Sequence, residues 1–263
     1  MVLDKSKLQE NGFLSFNLKD VDESLYNELY KNFKKESFLN KSLMLRYDGS
    51  IKVPKNSKIK NDINNYFNKF LTKFNLKSYS EINTIISVDN NNNEYIRLSL
   101  RLEGKYNSLN KFEKIINKFK YHTSQCWYFN PTVESTKLKE TLSDIYLKTV
   151  FNLYSKDIIN NSEYERDIIS SGTELTLYTK NNFIELHQDG YVEGRLCVVL
   201  IYLNDDYKEG CGGELVINES NTIKPEFGNV AILDFTKNNV YHSVNSVLDD
   251  NFKRFAFIKF FYQ

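Results

Sequence analysis

At 263 residues, with 41% hydrophobic and 14% aromatic side chains, the chain has ample material for a buried core, which excludes a disordered polypeptide. A formal net charge of +1 argues against a broad phosphate-binding surface, since nucleic-acid binders usually carry a basic excess. The opening residues MVLDKSKLQENGF carry no apolar signal region and no run approaches about 18 apolar residues, so neither secretion nor a membrane span is expected.

In chain order, GFLSFNL (12–18) predicts a short opening strand. DVDESLYNELYKNF (20–33) predicts a helix started near Asp20 or Asp22, with Leu25, Leu29 and Phe33 on one stripe. The helical period returns at Ile59, Ile63, Phe67, Phe70 and Phe74 over 58–74. DNNNNE (89–94) is a polar loop, and EYIRLSLRL (94–102) alternates as a half-buried strand, with Arg97 and Arg101 on its polar face. Leu109, Phe112, Ile116 and Phe119 mark another helix, and a longer one is expected over 134–154 with Ser135 as its cap. His122 and Trp127 lie in an aromatic-rich segment and are expected to be packing residues. With 3 prolines and 10 glycines and no linker, the chain is expected to form a single domain over 1–263. Residues 1–170 would then be a helical and strand support for a core at 171–263. Cys126, Cys197 and Cys211 are odd in number and lack CxxC spacing, which fits a reducing cytoplasm.

After residue 170 the pattern changes to short strands at regular spacing, near 173–180, 183–189, 195–204, 213–218, 229–235, 240–247 and 253–262. About eight such strands in two antiparallel sheets make a jelly roll. The expected class is therefore mainly β with flanking helices, a double-stranded β-helix with N-terminal helices packed on one sheet. Gly212-Gly213 and Gly228-Asn229 fall between strands and read as turns without chemistry.

The chain has only 3 histidines, and two of them stand in one pattern: His187 and Asp189 in FIELHQDGY, then His242 in VYHSV. One residue separates His187 from Asp189, so on an extended strand both side chains leave the same face. Two imidazoles and one carboxylate with open positions around them suit non-haem Fe(II). Arg254 lies in the apolar run RFAFIKFF, where an unpaired guanidinium is costly, and a bidentate carboxylate partner is expected for it.

Over roughly residues 172–263 the order HQD, GRLCVVLIYLNDDY, GCGGELVI, PEFGN with VAILDF, NVYHSVNSV and KRFAFIKFF resembles the 2-oxoglutarate- and Fe(II)-dependent dioxygenases of the prolyl 4-hydroxylase-like branch. The resemblance implies Fe(II) on His187, Asp189 and His242, with 2-oxoglutarate as cosubstrate, O₂ as oxidant and ascorbate as a candidate stimulant. It implies that Arg254 pairs with the far carboxylate of the cosubstrate, helped by Tyr202 and, on the preceding strand, Tyr178. Lys253 is the rival cation, placed on the opposite face by strand alternation. Ala256 and Ile258 depart from the family, which often has a hydroxyl residue there. Arg195, Arg97 and Arg101 read as solvated or ion-paired surface groups. The implied reaction hydroxylates an unactivated C–H of a prolyl residue or related substrate and releases succinate and CO₂. The implied partner is a protein, peptide or small-molecule substrate, with no nucleic acid and no membrane. A free amino acid or other small metabolite is the alternative substrate, and a non-catalytic binding jelly roll is the alternative from another class. Asp189 argues against halogenation, which needs that position free for chloride.

Overall fold

The computed structural model describes residues 2–33, 44–56, 58–74, 79–88, 91–105, 122–129, 136–159, 169–170, 173–189, 194–236 and 240–262. The expected helix at 109–119 and cap at Ser135 lie outside them. The chain opens with α1 (Lys5–Asn11), β1 (Phe13–Asn17), α2 (Leu18–Val21) and α3 (Glu23–Asn32). Gly12 closes α1 in the left-handed region at φ 74°, returning its N–H to the Leu8 carbonyl.

Asp22 caps α3: its carboxylate accepts from the Leu25 N–H at 3.2 Å and pairs with Lys148 at the same distance. Burial pushes the Asp22 pKa up, but the Leu25 hydrogen bond and Lys148 outweigh it and hold the carboxyl below its ordinary value of 3.8. A depressed folded pKa means stability present above the unfolded value and lost as pH falls through the folded one. Asp22→Ala should therefore cost about 1 kcal/mol at neutral pH, a typical cap loss. In urea titrations at stepped pH, the charge-dependent part of that gap should shrink below pH 3.8.

β2 (Met44–Pro54), α4 (Lys58–Phe74), β3 (Tyr79–Val88), β4 (Glu94–Lys105) and β5 (His122–Phe129) follow, and α5 (Thr136–Ile159) ends the support region. Three strands here were not foreseen: β2, β3 and β5 flank or extend the one that was, β4. They pair in the order β3-β4-β2-β5, all antiparallel.

β6 (Ile169–Ser170), β7 (Glu174–Tyr178), β8 (Ile184–His187), β9 (Arg195–Tyr202), β10 (Leu215–Ile217), β11 (Asn221–Ile223), β12 (Asn229–Asp234), β13 (His242–Val244) and β14 (Arg254–Tyr262) complete the chain. Pairing runs β1-β12-β9-β14-β7 along one arm and β8-β13-β10-β11 along the other, with β5 joining β7 to β8. This is the jelly roll expected, entered by a strand from the N-terminal part.

Strand alternation splits the apolar residues into two cores. One lies between the arms: Tyr178, Val198, Leu200, Tyr202 and Ala256 from one meet Leu215, Ile217 and Val244 from the other. The second lies under the helices, where Leu175, Leu177, Val199, Ile201, Phe255 and Phe257 meet Leu25, Leu29, Leu142, Ile145 and Leu153. Each fully buried aliphatic side chain contributes about 1.5–3 kcal/mol. The second core anchors one sheet from outside, which leaves the space between the sheets for the site.

Candidate metal centre

β8 and β13 are antiparallel neighbours in which His187 and His242 are direct cross-strand partners. Direct partners put their side chains on one face, and the two imidazole centroids lie 4.2 Å apart. His187 Nδ1 lies 2.8 Å from the Glu185 carbonyl and His242 Nδ1 lies 3.4 Å from the Val240 carbonyl. A carbonyl only accepts, so each Nδ1 is the nitrogen that carries hydrogen. Both Nε2 lone pairs are then left for another partner, the tautomer that metal ligation needs.

That partner position is shared with Asp189. Its Oδ1 lies 3.9 Å from His187 Nε2 and its Oδ2 lies 3.5 Å from His242 Nε2. One ligand-type atom from each of the three residues falls within 4.8 Å of the others, a group that could hold a metal ion. His242 is buried while His187 and Asp189 are half-buried, so one side of the group faces out.

The structure brings Asp189 to this point by a different route from simple alternation. β8 stops at His187, and Asp189 sits in a bend beyond it. Arg195 holds that bend: its Nη1 donates to the Asp189 carbonyl at 2.7 Å and lies 3.6 Å from Oδ1. Arg195 is thus ion-paired as expected, but to a residue of the site.

Deeper between the sheets, Arg254 is 1% exposed and stands directly opposite Tyr178 on β7. Its guanidinium lies over the rings of Tyr178 at 4.6 Å and Tyr202 at 5.1 Å. Its Nε donates to the Gly213 carbonyl at 2.6 Å, and Nη2 reaches the Tyr202 hydroxyl at 3.5 Å. Among the described residues no carboxylate pairs with it. Burial raises the Tyr202 pKa, partly offset by Arg254, so the phenol stays protonated and able to donate. Gly213, read as a plain turn, has a second job: a Cβ there would lie 2.9 Å from Arg254 Cδ, at a backbone φ of 81°. Lys253 is half-buried and precedes the strand, whereas Ala256 faces Tyr202 across it. The side chains of Arg97, Arg101, His122 and Trp127 lie outside what the structure describes.

Residues 173–262 match the family model described as the 2OG-Fe(II) oxygenase superfamily. No curated protein matches the sequence. Among solved structures, a prolyl hydroxylase of Trichoplax adhaerens in complex with a hypoxia inducible factor peptide is similar at 16% identity, covering 98% of this chain and 86% of that one, with a TM-score of 0.48. A Pseudomonas putida prolyl-4-hydroxylase is similar at 10% identity over 98% of this chain and 96% of that one, TM-score 0.42. A viral collagen prolyl hydroxylase from Paramecium Bursaria Chlorella virus-1 is similar at 17% identity over 53% and 79%, TM-score 0.38. The matched segment contains His187, Asp189, His242 and Arg254 together. Members of the superfamily work with Fe(II) and 2-oxoglutarate, and the donor set here, two neutral imidazoles and a carboxylate with an open side, fits that ion. Residues 173–262 are accordingly a 2OG-Fe(II) oxygenase domain, which makes up about a third of the chain.

Proposed function

We propose that the chain hydroxylates an unactivated C–H of a prolyl residue or related substrate, in the manner of the prolyl 4-hydroxylase-like branch. One observation carries the site assignment: two imidazole Nε2 atoms and one carboxylate converge within 4.8 Å on an open side of the fold. His187, Asp189 and His242 are the metal ligands in this reading. Arg254 is the cation for the far carboxylate of 2-oxoglutarate, with the Tyr202 hydroxyl as a second donor and the Tyr178 ring as a floor under the guanidinium. A buried guanidinium without a carboxylate of its own suits an anion delivered by a ligand, and its planar fork suits a carboxylate. When bound, Fe(II) and 2-oxoglutarate supply the oxidation: O₂ is split, one oxygen ending in succinate as CO₂ leaves and the other in the substrate hydroxyl.

The chain's own residues bind, orient and exclude water. The two backbone carbonyls fix the imidazole tautomers, Arg195 steadies Asp189, and the apolar inner faces of β9 and β14 keep the space between the sheets dry. Prolyl substrate rests on the resemblance alone, with a free amino acid or small metabolite as the alternative. Ascorbate is expected to stimulate by keeping iron reduced. A reducing compartment such as the cytoplasm suits both the iron and the free thiols of Cys197 and Cys211.

The test is an anaerobic titration of the protein with Fe(II) and 2-oxoglutarate, following the weak visible band of the iron–keto-acid chelate. The band should grow to one equivalent of each. Its absence in well-folded protein would overturn the reading. Proline-containing peptides and free amino acids are then compared by the succinate they release.

A further inference from the structure

Strand alternation from the sequence puts Arg195 on the wrong side of its sheet. On β9, Val198 pairs with Phe260 of β14 and Cys197 with Phe261. Without interruption Tyr262 would meet Leu196. The register instead shifts, and Tyr262 pairs with Arg195. Leu196 is therefore one extra residue in β9, a β-bulge. Phe260 and Tyr262 share the inward parity of Arg254 and Ala256, so the bulge turns Arg195 from the helix side to the side of the metal centre. Its guanidinium accordingly lies over Phe260 at 4.2 Å and near Tyr262 at 5.8 Å. Bulges beside active sites commonly re-aim one side chain in this way.

What the re-aimed side chain touches is Asp189, through the carbonyl at 2.7 Å and the carboxylate at 3.6 Å. The side chain of Arg195 is 12% exposed and that of Asp189 is 19% exposed, so water screens the pair weakly. Asp189 needs such support. It has no strand partner, since β8 ends two residues before it, whereas His187 and His242 hold each other in a ladder. The Arg195 Nε is buried and meets no acceptor among the described residues, so the guanidinium is fixed by Nη1 on one side and the Phe260 ring on the other.

We propose that Arg195 is a positioning residue: the Leu196 bulge delivers it to Asp189, and it holds that carboxylate in place to complete the metal centre. This role presupposes the metal reading given above. Partners of this kind, one step removed from the ion, typically change metal affinity by about 10–100-fold when removed. The planar fork contributes as well as the charge, because a lysine cannot lie flat on Phe260 while donating to the carbonyl.

The experiment is a titration of the full chain with Co(II), an air-stable stand-in for Fe(II), read by its visible d–d bands and by equilibrium binding. Arg195→Met should raise the Co(II) dissociation constant about 10–100-fold and alter the bands, with the melting temperature of the metal-free protein little changed. Arg195→Lys, which retains stem and charge, should still bind Co(II) more weakly than wild type. Variants that fold and bind Co(II) with wild-type affinity and bands overturn the positioning role. Should Arg195→Met not fold, Arg195→Lys decides by the same criterion. Wild-type protein that takes up no Co(II) or Fe(II) instead sinks the metal reading and this role with it, so the two failures are distinguishable.

Discussion

Replacing His187 by alanine should abolish Fe(II) binding and, with it, all conversion of 2-oxoglutarate to succinate. His187 is the cleaner of the two histidines to remove, because it is half-buried whereas His242 is 6% exposed and packs in the core. The Nδ1–H bond to Glu185 turns its Nε2 toward Asp189, and no other imidazole or thiolate among the described residues joins that group to replace it. Losing one of three ligands should weaken metal binding by more than the roughly 10–100-fold typical of an outer partner. The melting temperature of the metal-free protein should hold, since strand β8 keeps its backbone bonds. Added metal should stabilise wild type through mass action and leave His187→Ala where it was. Metal binding and succinate release in His187→Ala comparable to wild type would show that the centre lies elsewhere.

The C-terminal strands were legible because short apolar runs recur at regular spacing between turn residues, the pattern of strands whose two faces are both buried. Val198, Leu200 and Tyr202 against Val199 and Ile201 is such a case. Asn221–Ile223 was not legible: a three-residue strand with two exposed positions carries almost no period. β2 escaped for another reason. MLRYDGSIKVP mixes polar residues, a glycine and a proline, and it becomes a strand by pairing with β4 and β5. At the site, residue types and chain order pointed to His187, Asp189, His242 and Arg254 because few other residues could do that chemistry. Tyr178 standing opposite Arg254 depends on strand register, which no spacing reports. Arg195 depends on a single extra residue, Leu196, which reverses the face that alternation assigns. Local pattern thus reveals the elements and the candidate ligands, while register decides which side chains stand beside them.

Arg254→Met should separate function from stability in opposite directions. In the reading proposed above, its charge sits between two tyrosine rings with a carbonyl on Nε and no carboxylate partner among the described residues. Removing the charge proposed to meet the far carboxylate of 2-oxoglutarate should weaken its binding by about 2–4 kcal/mol, roughly 30- to 1,000-fold. The apparent KM for 2-oxoglutarate should rise accordingly, while Co(II) affinity in its absence stays near wild type, because Arg254 touches none of the three ligand-type residues. Stability should behave differently. A buried guanidinium without its anion is a cost to the free protein, and an apolar side chain of similar length removes that cost, at the loss of the bond to the Gly213 carbonyl and the long contact with the Tyr202 hydroxyl, while still packing against the two rings. The metal-free melting temperature of Arg254→Met should therefore match or exceed that of wild type, and 2-oxoglutarate should no longer raise it in the presence of metal. Lys253→Met, one residue away and half-buried, should leave both quantities alone. A clear fall in stability with the 2-oxoglutarate response intact would mean that Arg254 serves the fold; a rise, or no change, with the response lost would mean that the fold tolerates this charge for the sake of the anion it binds.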